Sequence, residues 1–140
     1  MEKAMIEKAQ RLLNLNLPST SLSTVDKDYN VNVAVISVLE MVDNETILCA
    51  RFGAERTYAN LKETGKGVFM VLIFDETMTK DGIRIAVELV GDETSGPNFN
   101  RMQEQLLQTN YNRFPLKNCL VFKVTDILPI STLGQNKNLQ

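Results

Sequence analysis

Between Thr46 and Lys62 the chain reads TILCARFGAERTYANLK, and no other stretch restricts the fold as much. Ile47, Leu48, Cys49 and Ala50 make an apolar run too short for a helix, Gly53 punctuates it, and a helical pattern begins near Glu55. The order predicts a strand that turns through a glycine into a helix N-terminus. Such a terminus presents unpaired backbone N–H groups and the positive end of the helix dipole, a setting suited to an anion.

On a helical wheel Arg56, Thr57 and Asn60 share one side, and Ala54, Tyr58 and Leu61 share the other. The polar side has two readings, a solvated surface or a cradle for a phosphate. Arg51 interrupts the apolar strand just before Gly53, so its charge must reach water, a carboxylate or an anionic ligand. Phe52 beside it belongs to the core or to a ligand wall.

The flanking segments alternate between β-type runs and polar turns. Glu2 to Leu13 carries Met5, Ile6, Ala9, Leu12 and Leu13 at helical spacing, and Pro18 stops it, which predicts an N-terminal helix within residues 1–18. Ser21–Val25 and Val31–Leu39 surround the polar turn Asp26–Asn30, and Asp43-Asn44-Glu45 leads into Thr46, so three consecutive strands are expected as a meander. In the second of these Val33, Val35, Ser37 and Leu39 face one way and Ala34, Ile36 and Val38 the other, an apolar strand on both faces. Ser37 is the exception, and its hydroxyl has two readings, a local backbone bond or a ligand contact.

Val68–Phe74 is the most hydrophobic segment and predicts a central strand, followed across the polar stretch Asp75–Gly82 by an alternating strand over Ile83–Val90. Gly91–Pro97 breaks the pattern, Phe99, Met102, Leu106 and Leu107 mark a helix to about Thr109, and Cys119–Val124 alternates as the last strand. The residues after Ser131 form a polar tail expected to fray.

A chain of 140 residues with 44% hydrophobic and 23% charged residues is sized and composed for a single domain, here spanning 1–140. Its net charge of −2, without a run of like charges, argues against nucleic acid as a partner. The absence of an apolar stretch long enough to span a bilayer argues against a membrane, and the expected location is the cytoplasm. With no histidine and only Cys49 and Cys119, both in apolar strand patterns, the usual ligands for zinc or haem are missing, no metal site is expected, and buried free thiols are favoured over a disulfide. The commonest general base is missing too, and no catalytic side chain can be assigned.

The stretch TILCARFGAERTYANLKETGKGVFMVL resembles the flavin-mononucleotide (FMN)-binding split-barrel family, the pyridoxamine 5'-phosphate oxidase-like proteins. Gly53, Arg56, Thr57 and Asn60 carry the resemblance, which extends in weaker form from about Ser21 to Pro129. It implies a mainly β fold with flanking helices, an antiparallel split barrel of about six strands, in which two subunits pair and hold flavin at their interface. It implies that Arg56, Thr57 and Asn60 serve the phosphate with Arg51, Phe52 and Gly53 beside them, and that Val35, Ile36 and Ser37 lie against the flavin ring. Family members commonly carry polar side chains near the positions of Val33 and Ala34, which here are aliphatic.

The activity implied is that of a flavin-dependent oxidoreductase with a small-molecule electron donor or acceptor. Alternatives are an FMN-binding electron carrier, a deazaflavin-binding protein and a cofactor-free barrel. Oxidation of pyridoxamine phosphate itself is not implied, because this chain lacks the tryptophan and histidine that the family's enzymes use for that substrate.

Overall fold

The computed structural model describes residues 2–74, 76, 77 and 80–130, so the expected tail at 132–140 lies outside the described residues. Three helices and seven strands follow in the order α1 (Lys3–Leu13), β1 (Ser21–Val25), β2 (Val31–Val35), β3 (Leu39–Met41), β4 (Thr46–Arg51), α2 (Glu55–Thr64), β5 (Lys66–Phe74), β6 (Lys80–Glu93), α3 (Pro97–Leu107) and β7 (Asn118–Pro129). All strands join one antiparallel sheet in the order β2-β1-β5-β6-β7-β4-β3. The sheet curls into a half-barrel, a split-barrel fold of seven strands rather than about six.

The extra strand arises where Val31–Leu39 was expected to run unbroken. Val31, Val33 and Val35 point outward, but Ile36, Val38 and Leu39 are all buried, so the alternation fails around Ser37 and the chain bends there. β2 and β3 consequently lie at opposite edges of the sheet, not side by side in a meander. The segment between them bridges those edges, since Ile36 N–H donates to Thr20 O (2.9 Å) and Ala50 N–H donates to Val38 O (3.0 Å).

Two other strands outrun their sequence patterns. β6 continues through Gly91 to Glu93 because a register shift between Leu89 and Gly91 absorbs the irregularity that reads as a break. β7 extends past Val124 to Pro129 across a second shift at Ala86/Val87 of its partner.

The main core fills the inside of the curl. Phe69 and Phe122 meet edge to face there (5.3 Å between centroids), among Leu22, Ile47, Val71, Ile83 and Ile85, and α1 covers them with Ala9, Leu12 and Leu13. Below α1, Asn14 pairs with both backbone groups of Met41 and Asn16 Oδ1 accepts from Leu39 N–H, so side-chain amides satisfy the edge strand β3. A second cluster, Val38, Leu48, Met102, Leu106 and Cys119 among it, seats α3 on the other face of β4 and β7.

Candidate functional site

β4 delivers the chain to the site. Its last residue, Arg51, lies opposite Asn118 of β7, and the turn Phe52-Gly53-Ala54 then starts α2. Ala54 adopts the left-handed conformation (φ 56°, ψ 51°), which a residue with a Cβ takes at a cost of about 1–2 kcal/mol. No side chain caps the helix, so its first N–H groups rely on water or a ligand.

The face that α2 buries differs from the wheel's simple division. Thr57, Asn60 and Leu61 are buried together, while Ala54, Glu55, Arg56, Ala59 and Lys62 are exposed. Two polar side chains are accommodated inside because the β1–β2 hairpin supplies partners. Asn32 Nδ2 donates to Thr57 Oγ1 (3.0 Å), and Asn60 Nδ2 donates to Thr24 Oγ1 (3.1 Å). Among the described residues no acceptor takes the Thr57 hydroxyl proton, which leaves it to donate.

A cavity of about 130 Å³ opens beside the start of α2. Val35, Ile36, Ser37, Arg51, Phe52, Gly53 and Thr57 line it with Leu22, Cys49, Ala50, Ala54, Tyr58 and Leu120. The structure thus brings together most of the candidates from both sequence regions. Arg56 stands outside the lining on the exposed first turn of α2, and Asn60 lies behind it, engaged with Thr24. Larger depressions on the outer sheet face (about 410 Å³) and between α1 and α3 (about 490 Å³) include neither Arg51 nor Thr57.

Arg51 is held rather than free. Its guanidinium lies 3.8 Å over the Tyr58 ring, Nε donates to Asn118 Oδ1 (2.7 Å), and Nη1 donates to Gly53 O (3.1 Å) and Glu55 Oε1 (3.2 Å). Lys117 reaches the same Glu55 oxygen (3.0 Å), and this hydrogen bond, followed by the charges of Lys117 and Arg51, lowers the Glu55 pKa. The Tyr58 hydroxyl donates to Asp92 (2.5 Å), which raises its pKa and keeps it a neutral donor.

Asn32, Asp92 and Asn118 belong to this arrangement and carry no role in the sequence reading, and Tyr58, placed there only on the apolar side of the helix wheel, belongs to it as well. Asn32 had a signal, a polar residue alternating with valines in β2. Asn118 and Asp92 had none, because their places depend on the register between distant strands. Among the described residues no helix is long and apolar enough to cross a membrane.

No protein-family model matches the chain, and no curated protein does. Among solved structures, an FMN-binding protein from Syntrophomonas wolfei subsp. wolfei is 60% identical, with a TM-score of 0.91 over 94% of this chain and 89% of that one. A candidate pyridoxamine 5'-phosphate oxidase from Lactobacillus delbrueckii (16% identity, TM-score 0.65, 91% of this chain and 93% of that one) shares the fold. So does an F420 reductase (15% identity, TM-score 0.60, 85% of this chain and 94% of that one). At 60% identity over nearly the whole length, with the curled antiparallel sheet in place, the chain belongs to the FMN-binding split-barrel family.

Proposed function

We propose that this protein is an FMN-binding oxidoreductase that holds its flavin in the cavity beside the start of α2, at the interface of a homodimer. The cavity itself carries the reading, because it gathers an uncapped helix terminus, a fixed guanidinium and a free hydroxyl proton in a chain 60% identical to an FMN-binding protein.

The residues fit the group. A phosphate would be held by the N–H groups at the start of α2, the Thr57 hydroxyl, Arg51 and the nearby exposed Arg56, which are charge-assisted or dipole-aligned donors. Asn60 would act behind them by docking α2 on β1. Val35, Ile36 and Ser37 would face the flavin ring, and Phe52 and Gly53 would border it. Flavin, when bound, supplies the electron transfer to or from a small-molecule donor or acceptor, so the lack of a histidine base is no obstacle. The chain's own residues bind, orient and shield it.

A volume of about 130 Å³ is below the roughly 300–1,000 Å³ of pockets that enclose a ligand, so the cavity supplies part of a site. Val35 also ends a row on the outer sheet face, where Val31, Val33 and Val35 are 70%, 63% and 66% exposed beside Val68, Met70 and Leu128. A second copy packed on this face would cover the row and complete the site. Two free cysteines suit a reducing cytoplasm.

The test is an absorbance spectrum of freshly purified protein, mass analysis of whatever denaturation releases, and sedimentation to obtain the subunit number. A flavin spectrum, the mass of FMN and a dimer are expected. The mass of a deazaflavin would replace the cofactor. Colourless protein that also ignores added FMN would overturn the reading, and a monomer that binds FMN fully would remove the interface.

A further inference from the structure

Arg51 ends β4 with its side chain only 10% exposed, and its donors divide unevenly. Nε and Nη1 are engaged by Asn118, Gly53 O and Glu55, while Nη2 makes no hydrogen bond among the described residues, although Arg51 lines the cavity. A guanidinium with one edge unused beside a cavity is suited to receive an anion there.

Besides Gly53 O and Glu55, one carboxylate braces two of the groups that hold Arg51. Asp92 Oδ1 accepts from Asn118 Nδ2 (2.8 Å), so the Asn118 amide is turned with its oxygen toward Arg51 Nε. Asp92 Oδ2 accepts from the Tyr58 hydroxyl (2.5 Å), which fixes the ring on which the guanidinium stacks. Lys62 binds the same oxygen from the outside (3.2 Å). One side chain therefore sets both the edge partner and the stacking partner of Arg51. Its location depends on the register shift between Leu89 and Gly91, since a one-residue slip exchanges the faces of a strand.

We infer that Asp92, acting through Asn118 and Tyr58, is a positioning residue that aims the free edge of Arg51 at an anionic group in the cavity, and so makes the site prefer phosphorylated over unphosphorylated flavin. This rests on the flavin reading above. Asp92 does not itself line the cavity and reaches the site through Asn118 and Tyr58, the two partners that hold Arg51.

The experiment titrates purified, flavin-stripped protein with FMN and with riboflavin, following the quenching of flavin fluorescence. The wild type should prefer FMN. Arg51→Ala should weaken FMN binding roughly 10- to 100-fold, the size of one or more hydrogen bonds to a charged group, and leave riboflavin within about twofold. Asp92→Asn should weaken FMN binding by about three- to tenfold, and Asn118→Ala should do the same and serve if Asp92→Asn fails to fold. Asp92→Asn in the Arg51→Ala background should add no further loss, the mark of two residues acting through one interaction. Equal weakening of both ligands, a loss that multiplies with that of Arg51→Ala, or a wild type indifferent to the phosphate would overturn the inference. A wild type that binds neither flavin would instead sink the flavin reading itself.

Discussion

The guanidinium of Arg51 lies 3.8 Å over the ring of Tyr58, two residues that leave a strand and enter a helix on either side of one turn. The stack ties β4 to the first turn of α2, so the strand end and the helix terminus cannot drift apart without separating a cation from an aromatic face. The side chain pairs with Glu55 and is also engaged by Asn118, Gly53 and the Tyr58 ring, and Arg51 lines the candidate cavity.

Ala54 is the strained residue of that turn. Its left-handed backbone suits glycine, the Cβ is exposed, and no hydrogen bond of its side chain would be lost. Ala54→Gly should therefore raise stability by about 1 kcal/mol, measured as a higher midpoint of urea unfolding. A fall in midpoint would show that the turn is not strained in the folded protein.

The buried polar contact between Asn60 and Thr24 makes a second prediction. Asn60→Ala leaves the Thr24 hydroxyl without its donor in a site where both residues are nearly inaccessible, 4% and 3% exposed. The cost should be about 1–3 kcal/mol, read from equilibrium unfolding, and Asn60→Ala with Thr24→Val should recover part of it. Full stability in the single variant would mean that water replaces the amide.

The strand–glycine–helix sequence at Thr46–Lys62 was legible because it is local, and so were α1 and the hairpin about Asp26–Asn30. The grouping of Val35, Ile36 and Ser37 with Arg51, Phe52, Gly53 and Thr57 came from the family resemblance, and the cavity brings the same residues together. What escaped depended on register. The bend at Ser37 that creates β3, the shift near Gly91 that carries β6 to Glu93, and the pairing of Arg51 with Asn118 all depend on partners remote in sequence. The burial of Thr57 and Asn60 escaped for the same reason, since Asn32 and Thr24 satisfy them only once the hairpin folds against α2.

Cys49 and Cys119 sit on adjacent strands but belong to opposite faces of the sheet, one in the core inside the curl and the other under α3. Burial pushes both thiols up to about 12, so neither supplies thiolate near neutral pH. A thiol reagent added at pH 8 to the native protein should find no reactive cysteine, and the unfolded chain should release two equivalents without a reductant. Native reaction at the rate of a free thiol would contradict the burial, and fewer than two equivalents on unfolding would indicate a disulfide.

Gly82 should tolerate no side chain. A Cβ there would stand 2.2 Å from the carbonyl oxygen of Val71 and 2.9 Å from Ile130, inside the β5–β6 pairing that floors the core. The strands must part to admit it, and Gly82→Ala should cost more than about 2 kcal/mol, whereas the same change at Gly53, with open space around its Cβ position, should be far milder. Thermal unfolding of the two variants makes the comparison, and equal melting temperatures would show that the β5–β6 ladder yields without strain.

Acid should expose the Glu40 bracket that joins β3 to α3. The Arg101 hydrogen bond holds the Glu40 carboxyl below its ordinary value near 4.5, against the opposing effect of partial burial, and Gln105 assists. Because the folded-state pKa is depressed, the contribution to stability is complete above the ordinary value and is lost as pH falls through the lowered one. Arg101→Gln should therefore reduce stability at pH 7 and narrow its gap to the wild type as pH drops below about 4.5, followed by urea unfolding across that range. Arg101 is half exposed, so the pH 7 difference should be modest and should shrink in high salt. A gap that stays constant from pH 7 to pH 3 would mean that Arg101 supports α3 by packing alone and that its charge on Glu40 contributes nothing.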